Sequence, residues 1–235
     1  MSKSAEIHAE AARIGTATLS TQLVKKGIRR HLIQGARLVL GNGRRIAGPA
    51  FTLRFIPGRE DVSTAESMAA PEGLMAAVEA ADPGSVLVVE AQGAEDCGIL
   101  GDILADRLRI RGVTGAVTDG VVRDLVGLER VGWPIWAKGL TPPPAFIGLW
   151  FAGWGMPVGV GGVAVFQGDT IVADEDGAIV IPAALVDAVV EGAKAQDAFE
   201  QWVIAKVAEG RALPGLYPPN AETIAEYERQ RAGKG

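Results

Sequence analysis

The sequence predicts an α/β fold built around a strand–helix–strand unit. Apolar runs at 85–91 and 113–118 are typical of buried strands, and an amphipathic helix is predicted between them at 102–111. A helix that connects two consecutive strands favours a right-handed crossover between parallel neighbours. We therefore predict a single α/β domain over residues 1–235, in which residues from about 183 to 235 form a C-terminal helical tail.

The other elements follow from the same periodicity rules. One helix is predicted at 5–26, where Gly27 ends it, and another at 68–81. Residues 50–56 mostly alternate apolar and polar side chains, as a strand does. A last short helix begins after Asn220, a favoured N-cap residue. Further short strands are predicted at 134–138, 163–166, 170–173 and 178–181.

Composition disfavours several classes of protein. A chain of 235 residues with 48% hydrophobic residues can bury a sizeable core, and its net charge of −5 disfavours a nucleic-acid-binding protein. Cys97 is the only cysteine, so the chain cannot form an internal disulfide. The polar N-terminus lacks the apolar core of a signal peptide. We therefore expect a cytoplasmic protein.

One uncharged segment, 139–168, is long enough to span a bilayer. Prolines and glycines interrupt it repeatedly, and a helix there would lose hydrogen bonds that lipid cannot replace. We predict buried loops and strands there and no membrane span. The overlapping stretch 133–157 holds four of the five tryptophans, for which core packing or a subunit interface is the default interpretation.

The loop before the central helix has the composition of a ligand-binding turn. Gly98 and Gly101 let a ligand approach the backbone, and the helix that begins at Asp102 offers unpaired N–H groups to an anion. The alternative is an ordinary tight turn in which Asp102 caps the helix. The residues alone leave both interpretations open.

A pair of charged residues follows the next strand. Arg123 can bind the carboxylate of an α-keto acid through two hydrogen bonds, and Asp124 can ligate a hard cation such as Mg²⁺. The alternative is a surface ion pair between these two neighbours. Asp119 is expected to cap or support the same loop.

Other chemistries are disfavoured by what the sequence lacks. His8 and His31 are the only histidines and both precede the central unit, which disfavours a histidine-based zinc site or a Ser-His-Asp triad. The phosphate-binding motif GxxxxGK[ST] does not occur. Lys138 suits a structural lysine better than a Schiff base, and Cys97 is predicted to be a small buried residue.

The motifs around this loop resemble those of the RraA-like family. This family includes class II pyruvate aldolases that act on 4-hydroxy-4-methyl-2-oxoglutarate or 4-carboxy-4-hydroxy-2-oxoadipate, and proteins that regulate ribonuclease E. The resemblance covers most of the chain from about residue 15. It is carried by Gly98-Ile99-Leu100-Gly101-Asp102, Arg111-Gly112, Asp119-Gly120, Arg123-Asp124, and residues 168–169, 173–177 and 215–219.

The resemblance implies a βαβ fold of the phosphohistidine-swivelling type, assembled as a homotrimer or hexamer with active sites between subunits. It implies that Asp124 holds Mg²⁺ or Mn²⁺, that Arg123 binds the pyruvyl group, and that Asp102 contacts water on the metal. Glu200 best matches a glutamate that a neighbouring subunit contributes. The backbone amides implied to bind the substrate carboxylate are those of Gly101, Asp102, Ile103 and Leu104.

These features predict a metal-dependent lyase that cleaves a 4-hydroxy-2-oxo acid to pyruvate and a second carbonyl compound through a pyruvate enolate. Asp102, Arg123 and Glu200 would be its catalytic residues, and oxaloacetate decarboxylation a side activity. Two alternatives remain: a protein-binding regulator of ribonuclease activity, and a sugar-acid lyase or hydratase with the same metal site. Ser20-Thr21-Gln22 replaces the Asp-Ala pair of many relatives, which leaves the physiological substrate open.

Overall fold

The computed structural model describes residues 3–41 and 44–232. The chain divides into two compact units, residues 1–190 and residues 191–235. The helices are α1 (Lys3–Ala11), α2 (Thr16–Lys25), α3 (Ala65–Met68), α4 (Leu74–Ala80), α5 (Asp102–Ile110), α6 (Leu125–Val131), α7 (Val186–Ala208) and α8 (Ala221–Ala232). The strands are β1 (Arg37–Leu40), β2 (Ile46–Pro57), β3 (Val86–Glu90), β4 (Gly115–Thr118), β5 (Val121–Val122), β6 (Ile135–Ala137), β7 (Gly139–Leu140), β8 (Leu149–Trp154), β9 (Val158–Val160), β10 (Val163–Val165), β11 (Thr170–Asp174) and β12 (Gly177–Ile181).

The first unit is organised around an eight-stranded mixed sheet with the order β1-β6-β4-β3-β2-β11-β12, in which β8 also pairs with β2. The four central strands β6, β4, β3 and β2 are parallel to one another. Antiparallel strands flank them, because β1 pairs with β6 and β11 pairs with both β2 and β12. Two small sheets, β9 with β10 and β5 with β7, complete the strands described.

The central strands are buried on both faces. Leu87 and Val89 of β3 belong to one hydrophobic cluster, while Val86 and Val88 belong to a second cluster. Since neighbouring side chains of a strand point to opposite faces, the sheet has a core on each side. This explains the uninterrupted apolar run that predicted β3, which is typical of a covered parallel strand.

The predicted strand–helix–strand unit is confirmed as β3, α5 and β4, with β3 and β4 adjacent and parallel. Loops that leave the carboxyl ends of parallel strands in an α/β sheet are common positions for ligand sites. The loop at 91–101 follows β3, and the loop and short strand at 119–124 follow β4. The crossover therefore places these two loops at one edge of the sheet.

Two predicted helices are shorter or interrupted, which corrects the sequence interpretation. The helix predicted at 5–26 is α1 and α2, separated by a segment in which Gly15 has an extended conformation. The helix predicted at 68–81 is confirmed only over α4, because the segment before it, which contains Pro71 and Gly73, is not helical, and α3 ends at Met68. Proline disfavours helical geometry in the residue before it, so the apolar periodicity there did not indicate one continuous helix.

The uncharged segment at 139–168 forms β7 to β10 with a short 3₁₀ turn, in keeping with the prediction of loops and strands. Trp133 and Trp136 are buried, and their indole N–H groups donate to the carbonyls of Val113 and Asp174, each at 2.7 Å. Core packing therefore accounts for these two tryptophans. None of the helices formed by the described residues has the length and apolar character that crossing a membrane requires.

The second unit contains most of α7 and all of α8, and so provides the predicted helical tail. Within it, Phe199, Trp202 and Tyr227 form an aromatic cluster with ring centroids 5.1–5.9 Å apart. Asn220 caps α8 as predicted, because its side-chain oxygen accepts a hydrogen bond of 2.9 Å from the N–H of Thr223.

Candidate functional site

The glycine loop before α5 is held beside the segment that follows β4. The N–H of Gly98 donates to the carbonyl of Pro143 at 2.8 Å, and the N–H of Ile99 donates to the carbonyl of Val121 at 3.0 Å. The N–H of Arg123 donates to the carbonyl of Leu100 at 2.9 Å. These backbone bonds fix the distance between the glycine loop and the Arg123-Asp124 pair, independently of any side chain.

Gly98 and Gly101 permit this close approach. A Cβ atom at Gly98 would lie 2.9 Å from Cβ of Arg123, and a Cβ atom at Gly101 would lie 2.5 Å from Oδ2 of Asp124. The backbone of Gly101 is extended, with φ −120° and ψ −175°, which any residue can adopt. Glycine at 101 is therefore explained by the space that the Asp124 carboxylate occupies.

Arg123 and Asp124 form a partly exposed ion pair, with Nε of Arg123 3.0 Å from Oδ2 of Asp124. Asp124 has a left-handed backbone (φ 62°, ψ 47°) and, with Gln92, is one of two such non-glycine residues among those described. It precedes α6, yet its side chain makes no capping hydrogen bond to that helix. An exposed ion pair contributes little to stability, and this carboxylate does not cap its helix, so neither contact gives it a strong structural role.

Asp102 is the first residue of α5, and Gly101 occupies the N-cap position. This corrects the alternative in which Asp102 itself caps the helix. Its Oδ1 accepts a hydrogen bond of 2.9 Å from the N–H of Ile103, and the rest of its carboxylate packs on Gly127 of α6. The position suits an anion, because the helix dipole favours negative charge at the N-terminus.

The predicted site residues of the first unit surround one cavity of about 320 Å³. Every one of them lines it: Gly101, Asp102, Ile103, Leu104, Arg123 and Asp124. Glu200 is different, because it belongs to the second unit, where its Oε1 accepts a hydrogen bond of 2.8 Å from Gln196. Gly98, the other glycine of the predicted ligand-binding turn, lines it too, whereas the rest of the cavity wall was not predicted: Ala65, Met68, Leu74, Met75, Ile99, Leu100, Pro144, Ala145 and Phe146.

The side chains at this cavity fit a hard divalent cation held mainly by water and substrate. The described residues contain no group of three or more His, Cys, Asp or Glu side chains that could enclose a metal. Mg²⁺ typically uses one or two protein carboxylates and keeps several waters or substrate oxygens. Asp124 and Asp102 supply carboxylates of this kind to the cavity wall.

Three other residues singled out in the sequence have structural roles. Asp119 is buried and supports the loops, since its carboxylate accepts hydrogen bonds from the N–H of Ala91 at 2.8 Å and of Gly161 at 3.3 Å. Lys138 donates to the carbonyl of Gly93 at 3.1 Å, as a structural lysine does. Cys97 is buried, and burial, followed by the nearby Asp96 carboxylate, raises the pKa of its thiol to about 11.

Gly127 lies against Asp102, one of the residues that line the cavity, and the sequence did not reveal this contact. It lies within α6, where glycine normally weakens a helix, and a Cβ there would overlap the Asp102 side chain. The contact joins α5 and α6, which the sequence did not show to be neighbours. A glycine inside an otherwise helical segment was the one available signal.

Comparison with known proteins identifies the family. A model of the RraA-like family, described as Aldolase/RraA, matches residues 16–180. The chain belongs to the RraA-like family. The resemblance inferred from the glycine loop and the Arg-Asp pair is thereby confirmed.

Two relatives match most of this RraA-like chain, one of them similar in length and the other much longer. A Halalkalibacterium halodurans protein named "Putative 4-hydroxy-4-methyl-2-oxoglutarate aldolase" is 30% identical over 164 residues, which are 69% of this chain and 71% of that protein. Protein DlpA of Legionella pneumophila is 29% identical over 174 residues, which are 74% of this chain. The chain spans only 27% of the length of DlpA.

A solved structure supports the fold. The crystal structure of Streptomyces coelicolor RraAS2, described as an unusual member of the RNase ES inhibitor RraA protein family, is 37% identical with a TM-score of 0.79. The similarity covers 86% of this chain and 98% of that one. The predicted α/β fold of the RraA-like type is therefore confirmed.

Proposed function

We propose that this protein is a divalent-metal-dependent lyase that cleaves a 4-hydroxy-2-oxo acid to pyruvate and a second carbonyl compound. The observation that carries the proposal is the Arg123-Asp124 pair, which lines the same cavity as the N-terminal turn of α5. The relative from Halalkalibacterium halodurans, named for an aldolase of this class, supports it.

Substrate binding uses the Arg123 guanidinium and the N-terminus of α5 together. Arg123 contacts Asp124 through Nε, and its two terminal nitrogens can donate to a substrate carboxylate. The first turn of α5 lines the same cavity, and the N-terminus of a helix favours an anion there. A 2-oxo acid bound in this way has its carboxylate fixed by the polar residues of the cavity.

Asp124 would hold Mg²⁺ or Mn²⁺, with Asp102 close by in the cavity wall. When bound, the cation supplies Lewis-acid stabilisation of the negative charge that develops on the keto oxygen as the C–C bond breaks. Arg123 adds positive potential at the same end of the substrate and fixes its orientation. Its ion pair with Asp124 also holds that carboxylate in place before a ligand arrives.

Asp102 provides a proton acceptor in the cleavage direction. The C4 hydroxyl loses its proton, the C3–C4 bond breaks, and its electron pair becomes the pyruvate enolate, which is then protonated on carbon. The Asp102 carboxylate can accept the hydroxyl proton through an intervening water. Oxaloacetate decarboxylation yields the same enolate by loss of CO₂, so it is expected as a side activity.

The assembly implied by the family resemblance forms part of this proposal. Apolar side chains are exposed near the site, since Ile103, which lines the cavity, is 80% exposed and Val126, two residues after Asp124, is 69% exposed. Exposed apolar side chains next to a polar site favour coverage by another protein surface. We propose a homotrimer or hexamer in which Glu200 of a neighbouring copy completes the site.

The direct test is Asp124→Asn, compared with the matched control Asp106→Asn. Asp106 is also a partly exposed carboxylate paired with an arginine, Arg109, but it does not line the cavity. Asp124→Asn is expected to lower metal-dependent pyruvate release from oxaloacetate at least about a hundredfold, or ~2.7 kcal/mol, with the fold retained. Equal activity of both variants would overturn the assignment.

A second candidate function is regulation of a ribonuclease by protein binding. The observation that favours it is the 37% identity to RraAS2, which is described as belonging to an RNase ES inhibitor family. Such a role does not need the Asp124 carboxylate. Inhibition of a ribonuclease that survives Asp124→Asn, with no pyruvate release by the unmodified protein, would favour this candidate.

A further inference from the structure

We propose that the substrate is a monocarboxylate whose C4 carbon carries an uncharged alkyl or aryl substituent, so that the second product is an apolar aldehyde or ketone. This inference rests on the proposed function, because it concerns the other half of the same substrate. It departs from the dicarboxylate in the name of the aldolase relative.

The cavity is lined by two chemically different sets of residues. The polar set is the first turn of α5 with Arg123 and Asp124. The apolar wall is formed by Met68 of α3, by Leu74 and Met75 of α4, and by Phe146. With the pyruvyl carboxylate bound by the polar set, the C4 substituent of the substrate extends toward the apolar wall.

This wall is a fixed part of the first unit. Met68 and Leu74 are each only 5% exposed and belong to the hydrophobic core cluster that also contains Leu87 and Val89. Their side chains are therefore held by packing and cannot turn away to admit a charged group. Met75 is 41% exposed and forms the accessible part of the wall.

The charges of the side chains that line the cavity also favour an uncharged C4 substituent. Among the described residues that line it, Arg123 is the only cationic side chain, and it already faces Asp124. Arg59 lines an adjoining groove that shares Ala65 and Phe146 with the cavity, but Asp61 binds it through two hydrogen bonds. Among the described residues of this chain, a second carboxylate on C4 of the substrate would thus lie against hydrocarbon without a cation.

Such an arrangement is costly for a 4-hydroxy-2-oxo acid that carries a carboxylate as the substituent on C4. A carboxylate that loses water against an apolar surface without a hydrogen-bonding partner is strongly disfavoured. An alkyl or aryl group gains from the same contact in proportion to its buried area. The volume of about 320 Å³ is at the small end of ligand sites, which suits a short substituent.

The test compares two substrates that differ in one group. In 4-hydroxy-2-oxopentanoate, a methyl group on C4 replaces the second carboxylate of 4-hydroxy-2-oxoglutarate. We expect kcat/KM for pyruvate release to be at least about tenfold higher for the methyl compound. A wild-type preference for the dicarboxylate would overturn the inference, and would indicate that a cation reaches the site from another subunit.

A variant separates the effect of the wall from the intrinsic reactivity of the substrates. Met75→Arg places a guanidinium on the accessible part of the wall, and Glu79 one turn later is already bound by Arg107 through two hydrogen bonds of 2.7 Å. The ratio of the two kcat/KM values is expected to shift about tenfold toward the dicarboxylate. Ile110→Arg, at an exposed apolar residue of α5 outside the cavity, should leave the ratio unchanged.

Oxaloacetate distinguishes this inference from the function on which it rests. Pyruvate release from oxaloacetate, together with a ratio that Met75→Arg does not move, would overturn the apolar-substituent inference alone. Failure to release pyruvate from oxaloacetate and from both hydroxy-oxo acids would overturn the proposed function, and the substrate class with it.

Discussion

Gly101 and Asp124 are in contact although they belong to different loops: a Cβ atom added at Gly101 would lie 2.5 Å from Oδ2 of Asp124. The absence of a side chain at 101 thus sets the position of the carboxylate at 124. Asp124 has a left-handed backbone and is paired with Arg123, so this contact acts on a carboxylate that is already constrained. The geometry of the proposed metal ligand depends on a glycine from the opposite loop.

Gly101→Ala should displace the Asp124 carboxylate while leaving the fold intact. The added methyl group occupies the space of Oδ2, whereas the extended backbone of residue 101 accepts alanine. We expect Mn²⁺ affinity, measured by titration calorimetry, to fall at least about tenfold.

The matched control for this change is Gly15→Ala. Gly15 also precedes a helix with an extended backbone, but a Cβ atom there would meet only Arg45, at 4.0 Å. If Gly101→Ala binds Mn²⁺ as tightly as Gly15→Ala does, Asp124 is not the metal ligand.

Gly127→Ala should reduce the stability of the protein. Alanine normally stabilises a helix interior by about 1 kcal/mol relative to glycine. Here its methyl group would overlap the Asp102 side chain, including Cβ and Cγ at 2.6 Å, and must push α5 from α6. We expect the free energy of unfolding to fall by about 1–3 kcal/mol in urea denaturation. A more stable variant would show that the two helices do not pack as described.

Arg123→Lys should weaken substrate binding more than it slows the chemical step. Lysine keeps the charge but lacks the planar pair of donors that matches a carboxylate. We expect KM for oxaloacetate to rise about 10–100-fold, the cost of about 1.5–3 kcal/mol for a charged hydrogen bond, with a smaller change in kcat. An unchanged KM with a large loss of kcat would show that Arg123 does not anchor the substrate carboxylate.

Cys97 should make the protein less stable as the pH rises from about 9 to about 11. The folded protein holds the thiol proton more tightly than the unfolded chain, because the pKa of Cys97 is raised from 9.0 to about 11 by burial and by Asp96. Its contribution to stability is therefore complete below pH 9 and is lost above it.

The measurement for Cys97 is the free energy of unfolding across this pH range for the wild-type protein and for Cys97→Ala. Every other ionisable group is common to both proteins, so the difference between the two curves reports the thiol. Parallel curves would contradict the raised pKa.

Local sequence was sufficient to predict those parts of the fold and of the site whose residues are close together in the chain. The β3–α5–β4 unit could be predicted because each element has a clear period and the crossover joins direct neighbours. Arg123 and Asp124 are adjacent residues, so their ion pair needed no long-range information. The cap at Asn220 follows from residues within one turn of helix.

Contacts between distant segments could not be predicted in this way. The apolar wall brings residues 65–75 and 144–146 next to the α5 turn, which depends on the packing of the sheet. The contact of Gly127 with Asp102 likewise depends on how α5 and α6 pack. Periodicity also missed the interruption at Pro71 and Gly73, because the apolar spacing continues across it.

The central claim is that this site forms a pyruvate enolate with the help of a divalent cation. The most direct measurement is enzyme-dependent pyruvate release from oxaloacetate and from 4-hydroxy-2-oxopentanoate with Mg²⁺, then with EDTA, after subtraction of the rate without protein. We predict release from both substrates with Mg²⁺, loss of it with EDTA, and recovery when Mg²⁺ is restored. Release that EDTA leaves unchanged, or no release by folded protein with Mg²⁺ present, would contradict the account.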